Sequence, residues 1–149
     1  YLKKGKKIKI NKNIDIMIKE ENKFGIKNFK TYQEFGEKVN KLRDNIIKNL
    51  NNLKKKGKAI VGYGAPAKAT TALNFFGITD QIDYIIEDNK FKHNKFVPGV
   101  KIPIFSKKKL KNKNNIILVL AWNFFNEIKK NNNSLSNNFV NIKDLEKEN

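Results

Sequence analysis

Several residue types are scarce in this chain of 149 residues, and each scarcity excludes a class of site. The chain has no cysteine, so it contains neither a disulfide nor a cysteine-based metal site. His93 is the only histidine, and no second type of metal ligand stands near it, so we expect no metal site. No apolar run approaches the roughly 18 residues of a membrane span. We therefore expect no membrane partner and a cytoplasmic location.

Arginine is almost absent as well, although the net charge is +18. Such a charge raises the alternative of a basic nucleic-acid-binding module. Base readout and bidentate phosphate contacts favour arginine, however, and Arg43 is the only one. The lysines are also spread along the chain, and their abundance beside asparagine and isoleucine is what AT-rich codons encode. We expect no specific nucleic-acid partner.

Two helices are predicted before the first buried strand. Residues 13–24 have one apolar face, and Gly25 provides a C-terminal stop. Thr31-x-x-Glu34 has the pattern of a capping box, which predicts a second helix from Thr31 that ends at Gly57. Its apolar residues recur at three- and four-residue steps, which is typical of packing on a sheet or on another helix: Tyr32, Phe35, Val39, Leu42, Ile46, Leu50 and Leu53. A short coiled coil is the rival interpretation.

Strands and helices alternate in the rest of the chain. The predicted strands cover residues 59–61, 82–86, 100–105, 116–121 and 139–142. Helices are predicted over 67–76 and 124–130, with a brief lysine-rich helix capped by Ser106. This alternation predicts an α/β fold, a Rossmann-like three-layer domain with a mainly parallel sheet, preceded by N-terminal helices.

The stretch that follows the first strand has the features of an anion site. Its two glycines permit a tight turn, Pro66 suits the first turn of a helix, and the N–H groups of that helix attract negative charge. We expect it to contact a phosphate or diphosphate through Gly62, Tyr63, Gly64, Ala65, Pro66, Ala67 and Lys68. The structural alternative is a plain tight turn with a solvated lysine. The third glycine of the full dinucleotide fingerprint is missing.

Two more predicted strands end in polar or aromatic residues. Glu87 and Asp88 stand where an acid accepts hydrogen bonds from a ribose, or where a strand simply turns. Trp122 and Asn123 offer a ring and an amide to a base or sugar, although a tryptophan after a buried strand also serves in core packing. No nucleophile–base pair is present, so the catalytic residues are unknown.

The chain resembles the C-terminal domain of S-adenosylmethionine-dependent sugar C-methyltransferases, which methylate nucleotide-linked deoxyketosugars. The resemblance rests on the glycine turn through Lys68 and on four later segments, namely Leu73–Ile78, Ile82–Asn89, Val97–Gly99 and Leu118–Phe124. It departs from the family pattern at Ala69-Thr70 and at His93-Asn94.

The resemblance implies that this chain is one domain of a larger enzyme, in which different domains bind the methyl donor and the substrate. Residues 1–30, with an alternating strand at 7–10, would be the end of a preceding domain that binds S-adenosylmethionine, and a linker. Residues 31–149 would be the Rossmann-like C-terminal domain, which binds a nucleotide-diphospho-sugar and packs against the methyl-donor domain. Zinc would belong to a further N-terminal part. We expect this chain to be inactive alone. The alternative from another class is a dinucleotide-binding domain of an oxidoreductase or regulator.

Overall fold

A computed structural model of the protein describes residues 12–111, 114–136 and 138–146. The chain divides into two compact units, residues 1–39 and residues 40–149. The strand expected at residues 7–10 lies outside the described residues. The described part of the chain forms four α-helices and six β-strands.

The described part of the first unit is helical, and its second helix continues into the second unit. Helix α1 covers Lys12–Phe24 and ends at Gly25, which has a φ of 84° and whose N–H bonds to the carbonyl oxygen of Glu21. Helix α2 covers Phe29–Lys55, so the predicted start at Thr31 is wrong. Asn28 Oδ1 accepts a hydrogen bond of 3.0 Å from the N–H of Lys30, as a helix-capping asparagine does. The capping-box motif therefore lies inside the helix.

The second unit is built on one six-stranded sheet. Its strands are β1 (Ile60–Tyr63), β2 (Tyr84–Ile86), β3 (Lys95–Phe96), β4 (Pro103–Phe105), β5 (Ile116–Val119) and β6 (Phe139–Asn141). Their order in the sheet is β3-β4-β2-β1-β5-β6. Every neighbouring pair is parallel except β3 with β4, which are antiparallel. The predicted α/β fold with a mainly parallel sheet is confirmed.

Side chains of each strand alternate between two apolar layers, one on each face of the sheet. The first layer joins Ile60, Ile85 and Leu118 to Ile46 and Leu50 of α2 and to Ala69 and Leu73 of α3, which covers Ala67–Phe76. The second joins Val61, Ile86 and Ile117 to Phe125 and Ile128 of α4, which covers Phe125–Asn131. Because both faces are covered, the central strands are continuous apolar runs rather than alternating ones.

Three local features differ from the sequence prediction or refine it. The loop expected after Asn89 contains β3, a two-residue edge strand whose side chains are exposed and carry no periodicity. The stretch Lys107–Lys109 forms a 3-10 turn, and Ser106 occupies its N-cap position without a capping side-chain hydrogen bond. A second 3-10 turn, Trp122–Phe124, separates β5 from α4.

No helix among the described residues is long and apolar enough to cross a membrane.

Candidate functional site

The strand order places a topological switch point beside β1. The chain leaves β1 for β2 and β4 on one side, then returns in β5 to pair with the other side of β1. Loops that leave two such strands in opposite directions open a crevice at their carboxyl ends, where open α/β sheets bind ligands. The glycine turn after Tyr63 and the segment after Val119 form the two sides of this crevice.

Two observations show why position 64, at the base of the crevice, requires a glycine. Its φ is 84°, a left-handed conformation that L-residues with a side chain rarely adopt. A Cβ on Gly64 would also lie 3.1 Å from Cβ of Ala121, which follows β5. Gly62 has a different reason, since a Cβ there would lie 2.7 Å from Cγ1 of Ile85 inside the sheet. Gly64 thus shapes the crevice, and Gly62 serves strand packing.

Glu87 closes the glycine turn from the neighbouring strand end. Its Oε2 accepts a hydrogen bond of 2.8 Å from the N–H of Ala65, and its Oε1 accepts one of 3.0 Å from the N–H of Asn89. Lys92 Nζ donates to the carbonyl oxygen of Ala65 at 2.9 Å and lies 3.4 Å from Glu87 Oε2. One N–H of the predicted anion turn is therefore already satisfied by a carboxylate of the chain itself.

The environment of Glu87 keeps its carboxylate ionised. Burial would raise the pKa of Glu87, but the N–H donors of Asn89 and Ala65 and the charge of Lys92 outweigh that effect and hold the pKa below its ordinary value. Only 12% of the side chain is exposed. Glu87 is thus a fixed anion and hydrogen-bond acceptor at neutral pH.

A second polar cluster connects four segments at the same edge of the sheet. The hydroxyl of Tyr63 donates to Asp88 Oδ2 at 2.8 Å, and Lys107 Nζ lies 2.7 Å from Asp88 Oδ1. Lys107 Nζ also donates to Oδ1 of the buried Asn132 at 2.7 Å, and it lies 5.4 Å from the centroid of the Tyr63 ring. Lys107 therefore joins the ends of β1 and β2 to the residue that follows α4.

The pKa values in this cluster move in the directions expected of a charge-assisted network. Burial opposes ionisation of Asp88, yet the hydrogen bonds from Lys107 and Tyr63 and the charge of Lys107 hold its pKa below the ordinary range. Burial raises the pKa of Tyr63, and the bond to Asp88 adds to that shift. The pKa of Lys107 is raised by Asp88 and Tyr63 against the opposing effect of burial. All three groups keep their ordinary charges at neutral pH.

A cleft of about 350 Å³ opens between the two sides of the crevice. Carboxylates, one lysine and apolar side chains face it, so it presents many hydrogen-bond acceptors. Its lining residues are Tyr63, Gly64, Pro66, Glu87, Asp88, Lys92, Ala121, Phe124, Glu127 and Ile128.

Trp122 stands at the rim between two further cavities. A polar cavity of about 310 Å³ is lined by Trp122 to Glu127 and by Asn141 at the end of β6. An apolar cavity of about 350 Å³, which Trp122 also lines, includes Ile46, Phe76 and Ile142. Lys68 Nζ, from the first turn of α3, lies 4.6 Å from the centroid of the Trp122 ring. This cation–π contact bridges the two sides of the crevice.

Comparison with known proteins identifies the family to which this fold and crevice belong. Residues 1–141 match the family described as the C-methyltransferase C-terminal domain. The chain belongs to this family. It is also similar to a C-methyltransferase of Streptomyces niveus, NovU, with 32% identity over 114 residues, which cover 75% of this chain and 27% of that protein. The chain therefore spans roughly a quarter of the length of this curated relative. The resemblance inferred from the glycine turn and the Ala121-Trp122-Asn123 segment is confirmed at the level of the family.

Within this C-methyltransferase C-terminal domain, the predicted site residues fall into three groups. Five of them line the cleft at the switch point: Tyr63, Gly64, Pro66, Glu87 and Asp88. Lys68, Trp122 and Asn123 lie at the rim, around the polar cavity and the cation–π contact. Gly62 is buried in β1, Ala65 bonds to Glu87, and Ala67 begins α3, so these three shape the site through the backbone.

Four residues of the site were not predicted from the sequence. Lys92, Lys107, Glu127 and Asn132 are polar residues among many similar ones in a chain rich in lysine and asparagine. No local signal marks the four together, because Lys92 lies in a predicted loop, Lys107 and Glu127 lie in predicted helices, and Asn132 follows one. Lys92 and Lys107 are identified by their tertiary contacts to Glu87 and Asp88, Asn132 by its hydrogen bond from Lys107, and Glu127 by its position at the cleft.

The domain offers no grouping that would hold a metal ion in its described residues. No cluster of three or more histidine, aspartate or glutamate side chains with suitable geometry occurs there. The Nε2 atom of His93 lies 2.7 Å from the carbonyl oxygen of Glu87, so its N–H donates to that oxygen. His93 thus helps to hold the loop that carries Glu87 and Lys92.

Proposed function

We propose that this chain is the substrate-binding C-terminal part of an S-adenosylmethionine-dependent methyltransferase that methylates a carbon of a nucleotide-diphospho-deoxyketosugar. Membership of the C-methyltransferase C-terminal domain family is the observation that carries the proposal. The relative of similar sequence is itself described as a C-methyltransferase. The sugar nucleotide as substrate is what the resemblance to sugar C-methyltransferases implies, and the chemistry of the crevice supports it.

The cleft and its rim offer complementary chemistry to the parts of such a substrate. The carboxylate of Glu127 borders the cleft and is suited to accept hydrogen bonds from sugar hydroxyls, whereas both oxygens of Asp88 are already engaged by Tyr63 and Lys107. Beside the cleft, the N–H groups of Ala67 and Lys68 precede the first intrahelical bond of α3, which the N–H of Ala69 makes to Pro66. Together with the Lys68 ammonium, they favour a diphosphate at this helix N-terminus.

Glu87, the acid at the end of β2, is not available to bind the ribose of the methyl donor. In a nucleoside-binding Rossmann domain, an acid at this position accepts hydrogen bonds from the ribose diol. Here both carboxylate oxygens of Glu87 are engaged by Ala65, Asn89 and Lys92. The resemblance implies that S-adenosylmethionine binds in another domain of the enzyme, against which this domain packs, and the engagement of Glu87 agrees with that assignment. The same engagement of Glu87 argues against the alternative of a dinucleotide-binding domain.

Among the described residues of the site, neither Glu87 nor Asp88 is a suitable base for removing a proton next to a ketone. A general base works best when its pKa lies near the operating pH. The pKa values of Glu87 and Asp88 are both held below their ordinary range, which makes these carboxylates weak bases. Substrate binding and positioning remain as the role of this domain, and we expect the chain to be inactive alone.

Calorimetric titration of the chain tests the proposal. We expect saturable binding of a thymidine-diphospho-4-ketodeoxysugar and of thymidine diphosphate, and no binding of NAD. We also expect no methyl transfer when S-adenosylmethionine is added to the chain and the sugar nucleotide. The variant Gly64→Ala alters the base of the crevice and is expected to weaken the binding of the sugar nucleotide.

Two results would support the rival functions instead. Saturable NAD binding without sugar-nucleotide binding would indicate a dinucleotide-binding domain. Tight binding of duplex DNA that falls steeply with salt would indicate a basic nucleic-acid-binding module. Methyl transfer by the chain alone would contradict the assignment of the base and the methyl donor to another domain.

A further inference from the structure

The contact between Lys68 and Trp122 joins two residues with different ligand chemistry. Lys68 belongs to the helix that follows β1, and Trp122 to the 3-10 turn that follows β5. The ammonium lies 4.6 Å from the centroid of the indole ring. A cation that could neutralise phosphate therefore rests on a ring that could stack a base.

Part of the Trp122 ring is committed to the protein core, which limits the surface left for a ligand. The side chain is half-buried and packs against the core layer formed by α2, α3 and β5. The rest of it borders the polar cavity of about 310 Å³ and the apolar cavity of about 350 Å³. An indole that packs partly against the core and borders open cavities with the rest of its surface is a rigid stacking surface.

A base and the Lys68 ammonium cannot occupy the same face of this ring together. Stacked aromatic rings have centroids about 4.5–7 Å apart, and the ammonium already lies within that layer. Among the described residues, no carboxylate forms an ion pair with Lys68, so the ring contact is what holds its ammonium. Both residues are half-buried, so the cation–π attraction is stronger than that of an exposed pair but still modest, and a stacked base can replace it.

We propose that the indole of Trp122 is the stacking surface for the base of a nucleotide, and that Lys68 leaves this surface when the base stacks and then pairs with the phosphates at the N-terminus of α3. The inference rests on the proposed function, because it assigns residues to the nucleotide of that substrate. It makes Lys68 a competitor of the base and a ligand of the diphosphate.

These two roles predict opposite effects of one substitution. Lys68→Met keeps the length of the side chain and removes its charge. Thymidine, which has a base and no phosphate, should bind the variant more tightly by about two- to five-fold, because the ring no longer holds an ammonium. Thymidine diphosphate should bind more weakly by about ten-fold or more, because a charged hydrogen bond to phosphate is lost.

Lys58→Met is the matched control. Lys58 is exposed and precedes β1, so it lies at the opposite edge of the sheet from the crevice. Its substitution removes the same charge from the chain, and both affinities should remain unchanged. A fall in diphosphate affinity of the same size in both variants would show only the effect of net charge and would overturn the inference.

Trp122 is the only tryptophan, so its fluorescence reports stacking directly. Thymidine should quench the emission of the unaltered chain and of Lys68→Met at saturation, with a lower half-saturation concentration in the variant. Trp122→Leu should lose most of the affinity for thymidine in calorimetry, and its circular dichroism spectrum checks that the fold is intact.

The outcomes separate this inference from the proposed function. If the unaltered chain binds thymidine diphosphate and Lys68→Met binds thymidine no more tightly than the unaltered chain, the competition is refuted while the proposed function stands. If thymidine diphosphate binds without changing Trp122 emission, the stacking role is refuted. If the unaltered chain binds no nucleotide at all, both the proposed function and this inference fail.

Discussion

Oε2 of Glu87 accepts a hydrogen bond of 2.8 Å from the backbone N–H of Ala65, so an acid at the end of β2 closes the glycine turn that follows β1. Lys92 completes the closure, because its ammonium donates to the carbonyl oxygen of Ala65 at 2.9 Å. The turn is therefore held by side chains from another loop as well as by its own glycines.

Glu87→Gln should destabilise the chain. The amide keeps one acceptor oxygen where the carboxylate offers two, and it loses the charge that faces Lys92. Because these bonds are largely buried, we expect a loss of about 1–3 kcal/mol in the free energy of unfolding by urea. Glu127→Gln is the control, since Glu127 is exposed at the cleft and should change stability by less than about 0.5 kcal/mol. Equal effects of the two substitutions would contradict the assigned role of Glu87.

Acid should destabilise the unaltered chain partly through Glu87 and Asp88. The pKa of each carboxyl is lower in the folded chain than its ordinary value, so folding favours the ionised forms. Their contribution to stability is complete above the ordinary pKa values and is lost as the pH falls through the folded values. Urea midpoints measured from neutral pH down to the acid range should fall less steeply in Glu87→Gln and Asp88→Asn. If the pH dependence of the urea midpoint were unchanged in both variants, that result would contradict the lowered pKa values of Glu87 and Asp88.

Gly64→Ala should cost more stability than Gly57→Ala. Both glycines have a positive φ, 84° at Gly64 and 71° at Gly57, so either alanine is strained by about 1–2 kcal/mol. At Gly57 an added Cβ meets open space, whereas at Gly64 it would lie 3.1 Å from Cβ of Ala121. Thermal unfolding of the two variants should place Gly64→Ala lower. The reverse order would show that the close approach to Ala121 relaxes without cost.

Lys107→Met should destabilise the chain by about 1–3 kcal/mol, because it leaves Oδ1 of the buried Asn132 without its donor. The loss of the partly exposed pair with Asp88 adds little, since such pairs contribute about 0–1 kcal/mol. Lys108→Met removes a neighbouring exposed lysine and is the matched control. Urea unfolding at low and high salt distinguishes the two effects, because only the ion pair is screened. A loss that disappears entirely in high salt would contradict the role of Asn132.

Much of the candidate site was predictable because its residues follow strands in the sequence. Gly64, Glu87, Asp88 and Trp122 each follow a buried apolar run. In a parallel sheet, such positions meet at one edge whatever the details of packing. The partners Lys92, Lys107 and Asn132 have no such signature, because the chain contains many identical residues in similar loops.

The helix start shows why local motifs can mislead. Thr31-x-x-Glu34 has the spacing of a capping box, yet α2 begins at Phe29 with Asn28 as its cap. Both caps are compatible with the sequence, and their energies differ little. The edge strand β3 was missed for a related reason, since its pairing with β4 is a long-range contact that two exposed residues do not reveal.

Apolar periodicity and glycine turns are encoded locally, so they indicated the α/β class and the strand ends that carry the candidate site, while the resemblance of particular motifs indicated the family. Only the tertiary structure decided how those ends are connected. It paired Glu87 with Ala65, Lys107 with Asp88 and Lys68 with Trp122. These contacts depend on the strand order β4-β2-β1-β5, which arises from packing between distant segments and not from any local pattern. The glycine turn that reads as a simple anion loop is therefore, in the folded chain, a turn already closed by a carboxylate.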